Sequence, residues 1–163
     1  MSTWDACAQH KVEMVNEATI STNTSTILTL RHHVDNMIDT LFHDSIGYGT
    51  IPFDEKAYAY QPWLELGSLA FKNDCGYHFT VGYVTEVLCS KQRDYGPKNI
   101  SRFGIQGLLI RVHDKVARLE NLLNNSVLPN NESISDTFLD IVGYAVIALM
   151  WIDGEFLLPM SDI

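Results

Sequence analysis

A run of basic residues in the second half of the chain has the composition of an anion-binding site. The sequence holds 11 Lys and Arg residues against 20 Asp and Glu residues, yet seven of the eleven lie between positions 91 and 118. They are Lys91, Arg93, Lys98, Arg102, Arg111, Lys115 and Arg118. Charge-assisted hydrogen bonds from Lys and Arg to phosphate oxygens are strong. The cluster therefore predicts that a compact anion, such as the phosphates of a nucleotide, is held here.

Three of these basic residues and one acidic residue stand on a predicted helix over 104–123. Arg111, Asp114, Lys115 and Arg118 are spaced i, i+3, i+4 and i+7, which places them on one face, roughly opposite an apolar stripe. One interpretation is a solvated face with an Arg111–Asp114–Arg118 ion pair that contributes little stability. The other is a phosphate-binding face, to which the neighbouring loop adds further candidates. The nucleotide-binding candidates are Lys91, Arg93, Asp94, Tyr95, Lys98, Asn99, Arg111, Lys115 and Arg118.

Carboxylates recur at four-residue intervals where the last predicted helix begins. Glu132, Asp136 and Asp140 are predicted to line one side of that helix. Acids in a first turn complement the helix dipole, but Asp140 lies inside the apolar run 138–142 and must be paired or bound to a cation. The alternatives are an ion pair to a basic residue of the preceding helix, and Mg²⁺, which binds few carboxylates together with phosphate oxygens.

The magnesium interpretation predicts metal-assisted attack of water on phosphorus. Its catalytic candidates are Asp114, Asp136 and Asp140. Its metal candidates are Asp114, Asp136, Asp140, Glu132 and Glu86.

The elements that would position these residues are all predicted to be helical. Apolar spacing of three and four favours helices over residues 4–18, 27–43, 55–73, 77–93, 104–123 and 133–152. Loops are predicted over 44–54 and 124–133, with a break at Tyr95-Gly96-Pro97 and a cap at Ser133 or Ser135. The fold class is therefore all-α, with about five to six helices in one bundle.

Composition narrows the classes of function. A chain of 163 residues with a net charge of −9 is the size of one domain and too acidic for general binding to nucleic acid or anionic membrane. Its longest apolar run, 145–152, is too short to span a bilayer. Three widely spaced cysteines and no leader-like N-terminus predict a cytoplasmic protein, in the host cytoplasm if a phage encodes it.

The motifs resemble a known family. The segments 91-KQRDYGPKN-99, 111-RVHDKVARLENL-122 and 132-ESISDTFLDIVGYAVIAL-149 are similar to the nucleotide modification associated domain family of phages and bacteria. That family resembles the all-α MazG-like and dimeric dUTPase-like pyrophosphatases, which implies a homo-oligomer and Mg²⁺. Those enzymes carry a Glu-Glu-x-x-Glu helix, where this chain has Arg111, Asp114, Lys115 and Arg118.

Three hypotheses follow for the whole chain. The first is Mg²⁺-dependent hydrolysis of a (deoxy)nucleoside triphosphate to the monophosphate and pyrophosphate. The second is non-catalytic binding of a nucleotide or cyclic nucleotide that sequesters a signal. The third is an acidic protein that inhibits a host factor by binding it. The predicted organisation is an N-terminal helical extension at 1–75 packed on a core at 76–155, with a tail at 156–163.

Overall fold

The chain forms a bundle of α-helices. The structure, a computed structural model, describes residues 2–45 and 55–162. These two ranges contain no strand and seven helices: α1 (Trp4–Glu17), α2 (Thr26–Ser45), α3 (Glu55–Phe71), α4 (Val81–Tyr95), α5 (Lys98–Ser101), α6 (Gly104–Asn124) and α7 (Ile134–Ile152). The predicted all-α class is confirmed. The prediction of five to six helices missed α5, a four-residue turn of helix that follows the Gly-Pro break.

Side-chain caps and one glycine set the ends of the helices around the basic segment. Thr80 caps α4, and its hydroxyl accepts the backbone N–H of Tyr83. That cap is why α4 begins at Val81 and not at the predicted residue 77. Gly96 ends α4 with a φ of 66°, a conformation that costs glycine little. The predicted loop over 44–54 falls largely outside the described residues, and α2 continues to Ser45.

Helix α7 is the centre of the bundle. It packs most extensively on α3 and α6 and also contacts α1 and α4. Its apolar side chains from Phe138 to Met150 are nearly all inaccessible to solvent. By length and composition α7 is also sufficient to cross a membrane, but a buried core helix meets the same criterion, and most of α7 is enclosed by its neighbours.

The first three helices belong to the same bundle as the later ones. Helix α1 packs on α3, α4 and α7, and α2 packs on α3 and α6. Buried Lys11 of α1 forms ion pairs with Asp153 at 2.7 Å and Glu155 at 3.0 Å, just beyond the end of α7. The backbone N–H of Trp4 donates to the carbonyl of Pro159, so the C-terminal tail lies against the start of α1.

The three cysteines are free thiols. Cys89 is buried on α4, and burial raises the pKa of its thiol to about 11. A thiol with so high a pKa is a poor nucleophile at neutral pH. The prediction that Cys89 is a core residue agrees with this position.

Candidate functional site

A pocket of about 320 Å³ lies between α4, α6 and α7, with α5 at one end. Its charged and amide-bearing lining residues are Lys91, Gln92, Asn99, Arg111, Lys115 and Asp140. Its remaining lining residues are Val87, Leu88, Tyr95, Ile100, Leu139, Gly143, Tyr144 and Ile147. Charged groups therefore face a largely apolar and aromatic cavity, which is the usual composition of a small-molecule site.

The pocket lies open between α4 and α7 because α4 packs mainly on α1 and makes only a small contact with α7. At that contact Leu88 approaches Gly143, and a Cβ at position 143 would lie 3.0 Å from the Leu88 Cδ2. Away from this contact between Leu88 and Gly143, α4 and α7 are far enough apart to enclose the pocket. Helix α5 places buried Ile100 and exposed Asn99 against one end of the cavity.

Asp140 is the centre of the charged part of the pocket. Its Oδ1 accepts from Lys91 Nζ at 2.9 Å, and its Oδ2 accepts from Lys115 Nζ at 2.8 Å. Only 12% of the Asp140 side chain is exposed. Lys115 also contacts Glu132 at 2.9 Å. Of the two interpretations of Asp140, the ion pair to the preceding helix describes this geometry, and Lys91 of α4 is a second partner.

The protonation of Asp140 and Glu132 is linked. Burial by itself would raise the pKa of Asp140, but contacts with Glu132, Lys115 and Lys91 lower this pKa to about 2. The neighbouring Asp140 carboxylate and then burial raise the pKa of Glu132, and Lys115 opposes that rise. Asp140 is thus ionised at neutral pH, and Glu132 is the member of the pair that takes up a proton first as the pH falls.

Arg111 is the pocket cation that has no protein partner among the described residues. Its side chain is half-buried and lines the cavity from α6. No hydrogen bond or ion pair to any group that the structure describes satisfies it. A guanidinium has five donors in a fork that matches phosphate oxygens. Arg111 is therefore the group most available to an anionic ligand.

The aromatic and amide residues of the motif lie at the edge of the pocket. Tyr95 is 70% exposed at the end of α4, and Asn99 is exposed on α5. Both line the cavity, as does the half-buried Tyr144 of α7. A base or sugar held by its phosphate at the cations would meet these side chains.

The other predicted nucleotide-binding residues point elsewhere. Arg93 forms an ion pair with Asp5 of α1 at 2.9 Å. Arg118 donates to the hydroxyl of Thr137 and to the backbone carbonyl of Glu132, so it fixes the loop before α7. Asp94 and Lys98 are exposed and do not line the cavity. The basic segment thus divides into a pocket group and a structural group.

The predicted metal ligands are dispersed. Asp114, Asp136 and Glu86 are exposed and lie outside the pocket lining. Glu132 precedes α7 and does not stand on its face, because Ser133 caps the helix and Glu132 turns back to Lys115. Within the described part of the chain, no group of three or more His, Cys, Asp or Glu residues is placed to hold a metal ion.

Two residues with polar side chains in the pocket lining were not singled out from the sequence. Tyr144 lies one helical turn after Asp140, and Gln92 lies beside Lys91. The i, i+4 spacing from Asp140 to Tyr144 places both on one face of α7, a signal that was available before the structure. Gln92 has no such signal, since its relation to the cavity depends on how α4 is rotated.

Comparison with known proteins gives one match. Residues 91–152 match the model of the family described as nucleotide modification associated domain 1. No curated protein and no solved structure matches the chain, and no similarity to MazG-like pyrophosphatases is found. The matched segment runs from the end of α4 to the end of α7. It contains every charged residue of the pocket, whereas α1, α2 and α3 lie outside it.

Proposed function

We propose that this chain binds a nucleotide whose phosphate lies in the pocket between α4, α6 and α7. The observation that supports this most directly is Arg111, a half-buried guanidinium that lines the cavity and lacks a partner among the described residues. A polar group that is withdrawn from water without a partner is costly to a fold. A phosphate that accepts two hydrogen bonds from Arg111 would supply that partner.

The two lysines extend the cationic surface around Arg111. Burial would lower the pKa of Lys115, but its bonds to Asp140 and Glu132 raise this pKa above the usual value. The same Asp140 contact raises the pKa of Lys91 against the effect of burial. Both lysines are therefore charged at neutral pH and line the same cavity as Arg111.

The remainder of the cavity suits a nucleoside. Tyr95 and Tyr144 offer aromatic faces, on which bases stack without strong sequence preference. Asn99 carries an amide donor and acceptor for a base edge or a sugar hydroxyl. The description of the matched family, nucleotide modification associated, agrees with a nucleotide ligand.

A second candidate is Mg²⁺-dependent hydrolysis of a (deoxy)nucleoside triphosphate. Asp140 favours it, because an ionised and mostly buried carboxylate lies in the same cavity as the cations. Magnesium is often held by one or two carboxylates and completed by substrate phosphates. Asp140, with Glu132 beside it, would have to release Lys115 to hold the ion.

A thermal-shift screen tests the proposal and separates the two candidates. The purified chain is heated with (deoxy)nucleoside mono-, di- and triphosphates and cyclic nucleotides, each in EDTA and in Mg²⁺. A ligand that binds the native state raises the melting temperature by mass action. Nucleotide binding predicts a shift in EDTA, and hydrolysis predicts a shift that requires Mg²⁺ and a triphosphate. No shift with any compound contradicts both and points to a protein partner.

Two arginine variants make the screen specific to the pocket. Arg111→Gln removes the guanidinium in the cavity, and we expect it to abolish the shift. Arg102→Gln is the matched control, since Arg102 is exposed on the same segment and does not line the pocket. Equal shifts in the two variants would place the nucleotide outside this cavity.

A further inference from the structure

The net positive charge of the pocket is small enough for one phosphate to neutralise it. Three cations, Lys91, Arg111 and Lys115, line it together with the single carboxylate of Asp140. A phosphate monoester carries about −1.5 to −2 at pH 7. With the Glu132 carboxylate 2.9 Å from Lys115, the excess over both carboxylates is one positive charge, which one terminal phosphate is sufficient to neutralise. A triphosphate chain would bring a larger charge into the same space.

Both lysines already form ion pairs with carboxylates of the protein. Each ammonium group holds a different oxygen of Asp140, at 2.9 Å and 2.8 Å, and Lys115 also holds Glu132. A first phosphate can bind Arg111 without disturbing these contacts. A second phosphate that reached for Lys115 would meet the carboxylates of Asp140 and Glu132, and like charges at short distance repel.

Among the described residues, no further cation lines the cavity for a longer phosphate chain. Arg93 is bound to Asp5, and Arg118 is bound to Thr137 and to the carbonyl of Glu132. Lys98 and Arg102 are exposed and outside the lining. The cavity is also small, since about 320 Å³ is near the lower end of the range of about 300–1,000 Å³ for ligand sites.

From these contacts we propose that the pocket selects nucleotides with a single phosphate monoester over the di- and triphosphates, and that Asp140 determines this selectivity. The inference rests on the nucleotide binding proposed above and names its ligand class. Asp140 acts as an internal anion. It fixes the positions of the two lysines and neutralises positive charge that would otherwise be available to additional phosphates. It is a specificity-determining residue, and the proposal assigns it no chemical step.

Calorimetric titration with a phosphate series tests the inference. The probes are the 5′-mono-, di- and triphosphates of adenosine, guanosine, cytidine and thymidine, in EDTA and in Mg²⁺. For the nucleoside that binds, we expect the monophosphate to bind at least tenfold more tightly than the triphosphate in both buffers. A triphosphate that binds as tightly as the monophosphate, or more tightly, in either buffer overturns the inference and leaves nucleotide binding intact. If no compound of the series binds, the proposed function itself fails.

A charge-neutral variant of Asp140 tests its role separately. In Asp140→Asn the lysines lose their internal anion, and we expect the triphosphate to gain about tenfold in affinity in EDTA while the monophosphate changes less. Asp39→Asn is the matched control, because Asp39 is exposed on α2, away from the pocket. An unchanged preference in a folded Asp140→Asn protein overturns the role of Asp140. If that variant does not fold, the wild-type series still decides the selectivity.

Discussion

Asp140 joins three helices through its two oxygens. Lys91 reaches it from α4 and Lys115 from α6, while Asp140 itself lies on α7. The sequence already marked it as unusual, because a carboxylate inside an apolar helical run needs a positive partner. A basic residue of the preceding helix was the predicted partner, and Lys115 is such a residue. Lys91 could not be predicted as a partner, since it lies 49 residues away and only the packing of α4 brings it close.

The low pKa of Asp140 predicts how stability depends on pH. The folded pKa of about 2 is below the ordinary value of 3.8, so the stabilisation is present above about pH 4 and is lost as the pH falls towards 2. We expect Asp140→Asn to lower the free energy of unfolding by about 1–2 kcal/mol at pH 5, less than the 3–5 kcal/mol typical of a fully buried pair. Urea denaturation at pH 5, 4, 3 and 2 measures the difference.

The difference between wild type and Asp140→Asn should shrink steadily below pH 4. Glu132 has the opposite shift, so its contribution is present below its unfolded pKa and is lost as the pH rises through its folded pKa. Because the ordinary value is 4.5, that change begins at the upper end of the measured pH range, whereas the loss at Asp140 lies below about pH 4. A difference that stays constant from pH 5 to 2 would contradict the ion pairs at Asp140.

At the scale of helices, local signals predicted the elements well and their orientation poorly. Ser133 was one of two predicted caps, and its hydroxyl accepts the N–H of Asp136 at 3.0 Å. Of the two interpretations of α6, the solvated face with an Arg111–Asp114–Arg118 ion pair does not describe the structure. Lys115 and Arg118 turn to the start of α7, and Asp114 is exposed. Spacing places residues on a common face but does not say which helix covers that face.

Three helices pack closely around Gly67 of α3. A Cβ there would lie 3.0 Å from the Ala145 Cβ of α7 and 3.1 Å from the Val15 Cγ2 of α1. The Ala145 Cβ is fixed to its backbone and cannot rotate away. We therefore expect Gly67→Ala to destabilise the fold by about 1–3 kcal/mol through overpacking, although alanine favours a helix. Urea denaturation at neutral pH measures the change.

Gly82→Ala is the matched control for this prediction. Gly82 lies in the first turn of α4, and a Cβ there would meet nothing within 4 Å. The same substitution should leave stability unchanged or increase it by at most about 1 kcal/mol. Equal effects at the two positions would mean that helix propensity, and not the contact between α1, α3 and α7, determines the result.

At the scale of the whole molecule, the matched family segment shares its packing contacts with helices that lie outside it. Residues 91–152 supply the charged groups of the pocket, but α7 makes its most extensive contact with α3, and α4 makes its own with α1. The sequence predicted that residues 1–75 pack on the rest. It could not predict where they pack, because apolar stripes identify a buried face without identifying its partner. The predicted homo-oligomer stays a prediction.

This arrangement predicts the behaviour of a truncated chain. A protein of residues 76–163 would expose the faces of α4 and α7 that α1 and α3 cover, including buried Ala145, which lies against Gly67 of α3 in the whole chain. We expect it to lack a cooperative thermal transition and to show poorly dispersed NMR amide signals, while the full chain unfolds in one transition. A truncated chain that unfolds cooperatively would show that α4 to α7 form a separate domain.

The central claim is that a nucleotide phosphate binds beside Arg111. A crystal structure of the chain soaked with the nucleotide that gives the largest thermal shift tests this most directly. We predict a phosphate within hydrogen-bonding distance of the Arg111 guanidinium, and a base against Tyr95 or Tyr144. A nucleotide bound elsewhere on the molecule, or an empty pocket at a saturating concentration of ligand, would contradict the account.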